Sequence, residues 1–172
     1  MRPMSRGPQR LAYPSLLLAA AFMALLAFAV GPAAHPAPAS ASTATTMEAQ
    51  LVSWINSARQ NRGVPALRVG SKLTNLAGSR AATLARTTVL VHPSCLGCVF
   101  TSWDISWRTC GEAIAMTTYP WGYQAARSIF LGWKNSPGHW SLLMSRSYTR
   151  IGVGVAYRSS NHSTWAAADL AG

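Results

Sequence analysis

The chain of 172 residues has a formal net charge of +11, from fifteen basic and four acidic residues. Such a charge favours anionic partners and makes association sensitive to salt. The basic residues are scattered and no nucleic-acid-binding motif is visible, which excludes nucleic acid as the expected partner and leaves anionic cell-wall polymers, lipids or glycans.

The N-terminus has the layout of a secretory signal peptide. Arg2, Arg6 and Arg10 precede an apolar run at 16–30, and Ala39-Ser40-Ala41 is a small-residue cleavage site. There is no twin arginine and no lipid-accepting cysteine after the run, so general (Sec-type) secretion to the cell exterior is expected. The run is shorter than the ~20 residues of a membrane span, so no stable span is expected after cleavage; an uncleaved N-terminal anchor is the alternative.

These signals divide the chain into three parts. We predict a signal peptide at 1–41, a short flexible segment at 42–47 and one folded domain at 48–171. After cleavage, twelve basic residues would face the four acids, so the exported part stays basic. The oligomeric state is left open.

Hydrophobic spacing predicts two helices at the start of the domain. Apolar residues from Leu51 to Ala58 recur at i, i+3, i+4 and i+7, and this helix should end near Gly63. A second helix, with Ser71 as its cap, runs through positions of the same spacing: Leu73, Leu76, Ala77, Arg80, Ala81 and Leu84.

Residues 89–110 are predicted to form a long irregular loop held by sulfur. Export makes one disulfide expected among three cysteines, and we predict a structural bridge from Cys110 to either Cys95 or Cys98. A zinc site would need a fourth ligand, and a thioredoxin-like role for Cys95-Leu96-Gly97-Cys98 would need a βαβ context that is not evident.

The rest of the domain alternates helix and strand signals. Residues 111–116 are a strand or a loop entering the core, and a third helix ends near Trp133. A fourth helix runs from Pro137 to about residue 144. Residues 151–157 and 165–170 form a terminal hairpin, and helices before an antiparallel hairpin indicate an α+β layered domain.

One histidine is placed by its local sequence. Ser136 is a good N-cap and Pro137 fits the first helical position, so His139 should be held in the first turn of a helix. His92 and Glu112 could converge with it on one site. Two imidazoles can bind Zn²⁺, and a carboxylate can orient a histidine or act as a general base.

A structural interpretation competes at each of these positions. Both histidines could be partly buried and simply hydrogen-bonded. Glu112, one of only four acids, lies in an apolar segment where burial is unfavourable without a partner. It could cap a helix or pair with one of the many arginines.

Six motifs follow one another along residues 48–171: Ile55-Asn56-x-x-Arg59, Leu73-x-x-Leu76-Ala77, His92, Gly111-Glu112-Ala113-Ile114-Ala115, Trp133-x-x-Ser136-Pro137-Gly138-His139 and Ile151-Gly152-Val153-Gly154-Val155. Together and in this order they resemble the CAP superfamily (cysteine-rich secretory, antigen 5, pathogenesis-related 1) in its bacterial SCP-like form. The family's Gly-Glu-Asn-Ile-Ala motif has alanine here in place of asparagine, at Ala113.

The resemblance implies a three-layer α-β-α sandwich with a central antiparallel sheet and a cleft lined by His92, Glu112 and His139. Many members have two histidines and two acids there and can bind a divalent metal. In this chain Ser136 stands at the place of the second acid, so the tetrad is incomplete; no cofactor is required, and Zn²⁺ at His92 and His139 is the candidate metal.

The resemblance also implies the class of function. Family members are mostly binding or defence proteins, and some bind sterols or other lipids. We expect an extracellular or cell-surface binding protein rather than an enzyme. The first alternative is a hydrolase of peptide or cell-wall material with Glu112 as general base, and the second is a structural surface module.

Overall fold

The computed structural model describes residues 39–172, so the predicted signal peptide lies almost wholly outside the described residues. The helices are α1 (Ala39–Gln60), α2 (Ser71–Thr87), α3 (Leu96–Ser102), α4 (Tyr123–Asn135) and α5 (Pro137–Leu143). The strands are β1 (Arg68–Val69), β2 (Cys110–Thr117), β3 (Arg150–Arg158) and β4 (Ser163–Ala171).

The predicted helices and the terminal hairpin are present, and two segments differ. Residues 42–47, expected to be flexible, are part of α1, and the Thr46 hydroxyl donates to the Ser42 carbonyl at 2.9 Å. The region expected to be one irregular loop contains α3, whose Phe100 is fully buried. Because α3 is short and packs one aromatic ring inward, its helical period is hard to detect in sequence.

The four strands form one sheet in the order β1-β3-β4-β2. β4 pairs antiparallel with both β3 and β2, as the hairpin predicts. β1 pairs parallel with β3 through only two residues, Arg68 opposite Arg150 and Val69 opposite Ile151. The α+β class is therefore confirmed, but the sheet is mixed rather than wholly antiparallel.

Helices cover both faces of the sheet. On one face, Ile151, Val153 and Val155 of β3 join a core with residues of α1 and α4, including the fully buried Trp133. On the other face lies α2, whose Leu73, Leu76, Ala77 and Leu84 pack toward the sheet and α3. Among the described helices, none is both long and apolar enough to cross a membrane.

The close approach of α2 to the sheet depends on two glycines of β3. A Cβ atom at Gly152 would lie 2.0 Å from the backbone carbon of Leu73, and one at Gly154 would lie 2.1 Å from the backbone nitrogen of Gly78. Only glycine lets the helix backbone rest directly on the strand at these positions.

We expect Gly154→Ala to lower the free energy of unfolding by about 1–3 kcal/mol, because the new methyl group meets backbone that can move only by separating α2 from the sheet. Urea denaturation measures this change. Gly132→Ala on α4 is the control: its Cβ has nothing within 4 Å, and alanine favours a helix by up to ~1 kcal/mol. Equal stability of the Gly154→Ala and wild-type proteins would contradict the proposed packing.

A buried arginine fixes the end of α5 relative to α1. Arg59 donates to the carbonyl oxygens of Pro65 (2.8 Å), Leu143 (2.7 Å), Ser145 (2.9 Å) and Tyr148 (3.3 Å). Buried carbonyl groups need such partners. Arg59 therefore holds the segment that follows α5, and with it the helix that carries His139.

The predicted disulfide pairing is wrong. The bond joins Cys95 to Cys98, whose Cα atoms are 5.3 Å apart, and Cys110 is left as a free, half-buried thiol. The chain turns into α3 at Cys95 and brings Cys98 within the usual Cα separation for a disulfide. Cys110 instead begins β2 opposite Ala171, where burial raises the pKa of its thiol.

Candidate functional site

Glu112 lies at the centre of the candidate site, paired with an arginine of α2. Its side chain is 0% exposed, on the face of β2 that α2 covers. Arg80 Nε donates to Glu112 Oε2 at 2.6 Å, and Arg80 Nη2 donates to Oε1 at 3.2 Å. A buried carboxylate needs such a partner. Pairing with an arginine is one of the interpretations that the sequence allows for Glu112, and this is the contact observed.

His92 reaches the same carboxylate from the loop after α2. Its Nδ1 is 2.8 Å from Glu112 Oε1, and its side chain is 53% exposed. Arg80 Nη2 also donates to the carbonyl of the preceding residue, Val91, at 2.8 Å. Arg80 therefore holds both the carboxylate and the loop that presents His92.

His139 lies in the first turn of α5, as its local sequence predicts. Ser136 occupies the N-cap position and Pro137 the first helical position, although the Ser136 side chain makes no capping hydrogen bond. The Ser136 carbonyl instead accepts the N–H of Trp140 at 2.8 Å. The pKa of His139 is lowered, first by burial and then by the charge of nearby His92, which favours neutral His139.

The three predicted residues thus lie near the β2 edge of the sheet, where its two helical layers meet. His92 arrives from the side of α2 and His139 from α5, which packs against β2. Within residues 39–172, no hydrogen bond joins His139 to His92 or Glu112, so its link to His92 is electrostatic. The site is one hydrogen-bonded trio (Arg80, Glu112 and His92) with a second imidazole beside it.

Few side chains at this site could act as ligands to a metal ion. Among the described residues, no group of three or more His, Cys, Asp or Glu side chains is arranged to hold a cation. Glu112 is occupied by Arg80 and His92, which makes it an orienting partner rather than a direct ligand. With Nδ1 facing Glu112, His92 has Nε2 left to bind a ligand, and His139 is the other imidazole of the site that could hold a metal ion.

A second buried acid lies beside Glu112 and was missed in the sequence. Asp169 of β4 is opposite both Glu112 and Gly152 in the sheet, beneath α2, and is fully buried. Within residues 39–172, neither of its carboxyl oxygens has a hydrogen-bond partner. Burial, and then the charge of Glu112, raise the pKa of Asp169 to about 8, while Arg80 acts in the opposite direction.

Two sequence signals could have found the missed residues. Arg80 occupies a position of the predicted apolar face of α2, where a charged side chain needs a buried partner. Asp169 interrupts an apolar strand in a chain that has only four acids. Each signal identifies a residue that needs an explanation, but neither says that the two residues lie beside Glu112.

Comparison with known proteins identifies a family. The model of the CAP (cysteine-rich secretory protein) family matches residues 52–168. None of the curated proteins matches the chain.

Solved structures show the same fold at low sequence identity. An extracellular protein from Bacillus anthracis that contains an SCP domain is 18% identical, with a TM-score of 0.66. The match covers 80% of this chain and 44% of the Bacillus protein. An outer surface protein from Borrelia burgdorferi is 18% identical with a TM-score of 0.63, and the match covers 73% of this chain and 92% of the Borrelia protein. NaASP2, whose crystal structure is described with Zn²⁺, is 12% identical with a TM-score of 0.56, covering 74% and 80%. This chain thus spans less than half the length of the Bacillus protein.

Proposed function

Because the chain belongs to the cysteine-rich secretory protein (CAP) family, we propose that it is an exported binding protein whose His92 and His139 form a weak site for a divalent metal ion. Two similar structures are described as an extracellular protein and an outer surface protein, which agrees with a signal peptide at the N-terminus of this chain. The basic surface favours an anionic cell-wall polymer, lipid or glycan as partner.

The observation that supports a binding role rather than a hydrolytic one is that both carboxylate oxygens of Glu112 are occupied and buried. A general base needs an oxygen that can reach a water molecule or a substrate proton. Glu112 Oε2 accepts from Arg80, Oε1 accepts from Arg80 and faces His92 Nδ1, and the side chain is closed to solvent. This geometry makes Glu112 a positioning residue for His92 and gives a hydrolase no available base at this position.

The same geometry supports weak metal binding. A carboxylate that accepts from one ring nitrogen of a histidine fixes the ring and raises the basicity of the other nitrogen. Glu112 is placed to do this for His92, and the lowered pKa of His139 keeps its imidazole neutral, the form that binds metal. Zn²⁺, present in the NaASP2 structure, is the natural probe.

We expect calorimetric titration of the purified protein with ZnCl₂ at pH 7.5 to give one site with a Kd on the order of 10 μM. Two protein ligands with solvent completing the shell should bind more weakly than a four-ligand site. The His92→Ala, His139→Ala double variant should lose this site. His162→Ala is the matched control, because His162 is exposed on the β3–β4 turn and contacts Tyr157.

Zinc binding should weaken as the pH falls below about 6, because protonated imidazole cannot bind zinc.

The zinc titration also distinguishes the metal site from a purely structural role. A folded wild-type protein that releases no heat with millimolar Zn²⁺, or a double variant that binds equally, would contradict the metal site. Loss of thermal stability in His92→Ala without any zinc effect would favour the structural module.

A further inference from the structure

The Cys95–Cys98 disulfide differs from a typical structural crosslink. Both cysteines are exposed, and only two residues, Leu96 and Gly97, separate them. The stabilisation expected from a crosslink grows with the length of the loop that it closes, so this bond contributes little by that route. An exposed disulfide is also open to attack by external thiols, whereas a structural crosslink gains from protection.

The backbone around this disulfide places a hydrogen-bond donor on one of its two sulfur atoms. The N–H of Cys98 donates to Sγ of Cys95 at 3.2 Å. A hydrogen bond to a thiolate favours the charged form, and a more stable thiolate is both a better leaving group and present in larger amount at neutral pH. Cys95 is therefore suited to form and release a mixed disulfide.

An exposed aromatic side chain lies directly beside the disulfide. A Cβ atom at Gly97 would lie 2.6 Å from the ring of Trp107, so the indole packs on the backbone between the two cysteines. Trp107 is 40% exposed, and its Nε1 lies 3.4 Å from Thr101 Oγ1. The ring offers an apolar contact to a polypeptide chain whose cysteine approaches Cys95.

The third cysteine, Cys110, is poorly suited to exchange with the Cys95–Cys98 disulfide. Cys110 is half-buried on the inner side of α3, packed against the same core cluster as Leu96 and Val99. Burial, and then the charge of Asp169, raise the pKa of its thiol, so it stays protonated and a poor nucleophile.

We propose that Cys95 and Cys98 form a thiol–disulfide exchange site that oxidises a pair of cysteine thiols in an exported polypeptide, with Trp107 as its contact surface. One substrate thiolate attacks Cys95 Sγ, the Cys95–Cys98 bond breaks, and Cys98 leaves as a thiolate that takes up a proton. The second substrate thiolate attacks the substrate sulfur of the mixed disulfide and releases Cys95. Two electrons and two protons pass from the substrate dithiol to the cysteine pair, and a small-molecule disulfide such as oxidised glutathione restores it.

The test is a single-turnover assay on the oxidised protein in the Cys110→Ser background. A fluorogenic peptide with two reduced cysteines is the substrate, and oxidised glutathione at equal concentration is the reference. We expect one peptide disulfide per protein molecule, formed at least about tenfold faster than with oxidised glutathione. Trp107→Ala should slow the reaction with the peptide but not the reaction with reduced glutathione.

A trapping variant covers the case in which removal of the disulfide harms folding. In Cys98→Ser, the remaining Cys95 thiol should form a mixed disulfide with a single-cysteine form of the peptide supplied as its disulfide-linked dimer, detectable by mass spectrometry, because the released peptide thiol diffuses away; Cys95→Ser should give none at Cys98. A peptide oxidation rate equal to that of oxidised glutathione would overturn the proposal. So would a Cys95 thiol that reacts with a small thiol reagent but forms no adduct with the peptide.

Discussion

Asp169→Asn is expected to stabilise the folded protein at pH 7, by up to ~4 kcal/mol, and to have little effect near pH 4. Asp169 is fully buried opposite Glu112, and its carboxyl oxygens have no hydrogen-bond partner among residues 39–172. An ionised carboxylate is therefore costly there, and asparagine keeps nearly the same shape without the charge.

The direction of the pH effect follows from the raised pKa of Asp169, which burial and Glu112 move to about 8. Between the ordinary value of 3.8 and about 8, the folded protein holds a proton that the unfolded chain releases. Asp169 therefore does not reduce the free energy of unfolding below pH 3.8. Between pH 3.8 and about 8, the free energy of unfolding falls as the pH rises, because the folded protein must keep this proton. Arg80 opposes the shift, and the Cys110 thiol also lies within electrostatic reach.

Urea denaturation of both proteins at pH 4, 5.5, 7 and 8 measures this effect, since the difference between them isolates Asp169. Asp104→Asn is the matched control: Asp104 is exposed, and Lys72 lowers the pKa of its carboxyl, so its small effect should have the opposite sign. A stability difference between Asp169→Asn and wild type that stays constant from pH 4 to pH 8 would show that Asp169 does not carry a proton in the folded protein.

Local signals in the sequence were sufficient to predict most elements. The spacing of Leu51 to Ala58 and of the apolar residues in α2 identifies one buried face of each helix, because helical period and burial are both local properties. Ser136 and Pro137 placed His139 correctly in the first turn of α5 for the same reason. The two-residue strand β1 has no such signal, since it forms only by pairing with β3.

The chemistry of the candidate site depends on pairs that are distant along the chain. Thirty-two residues separate Arg80 from Glu112, and their contact requires α2 to lie on the glycine positions of β3 and beside β2. Asp169 meets Glu112 only through the register of β4 with β2. The disulfide prediction was wrong because the short-range pair Cys95–Cys98 depends on the turn into α3, which the sequence did not predict.

Arg80→Met is expected to lower the free energy of unfolding by about 3–5 kcal/mol at pH 7, because it leaves a buried carboxylate without its counter-ion. The Arg80 side chain is 15% exposed and that of Glu112 is 0% exposed, so solvent can replace little of the lost contact. Methionine retains most of the apolar packing of the arginine stem. The same change removes the hydrogen bond to Val91 and should loosen the loop that presents His92.

A double-mutant cycle assigns this loss to the ion pair. Glu112→Gln alone should also destabilise the protein, since it leaves Arg80 without its carboxylate, but the Arg80→Met, Glu112→Gln double variant should recover part of the stability. Arg86→Met, which removes an exposed arginine from the same helix, is the matched control and should stay within about 0.5 kcal/mol of wild type.

The cycle also tests how the two predictions are connected. Arg80 lies within electrostatic reach of both Glu112 and Asp169, so its removal should raise the pKa of Asp169 further. Because Asp169 is already protonated in the folded wild-type protein at pH 7, the additional stabilisation of the Arg80→Met protein by Asp169→Asn should appear only near and above pH 8, and it is measured at pH 8 and 9. Additive effects of Arg80→Met and Asp169→Asn at pH 9 would instead mean that Arg80 does not influence the protonation of Asp169. In that case Asp169 would be a separate buried acid of the sheet, and the candidate site would remain Arg80, Glu112 and His92 with His139 beside them.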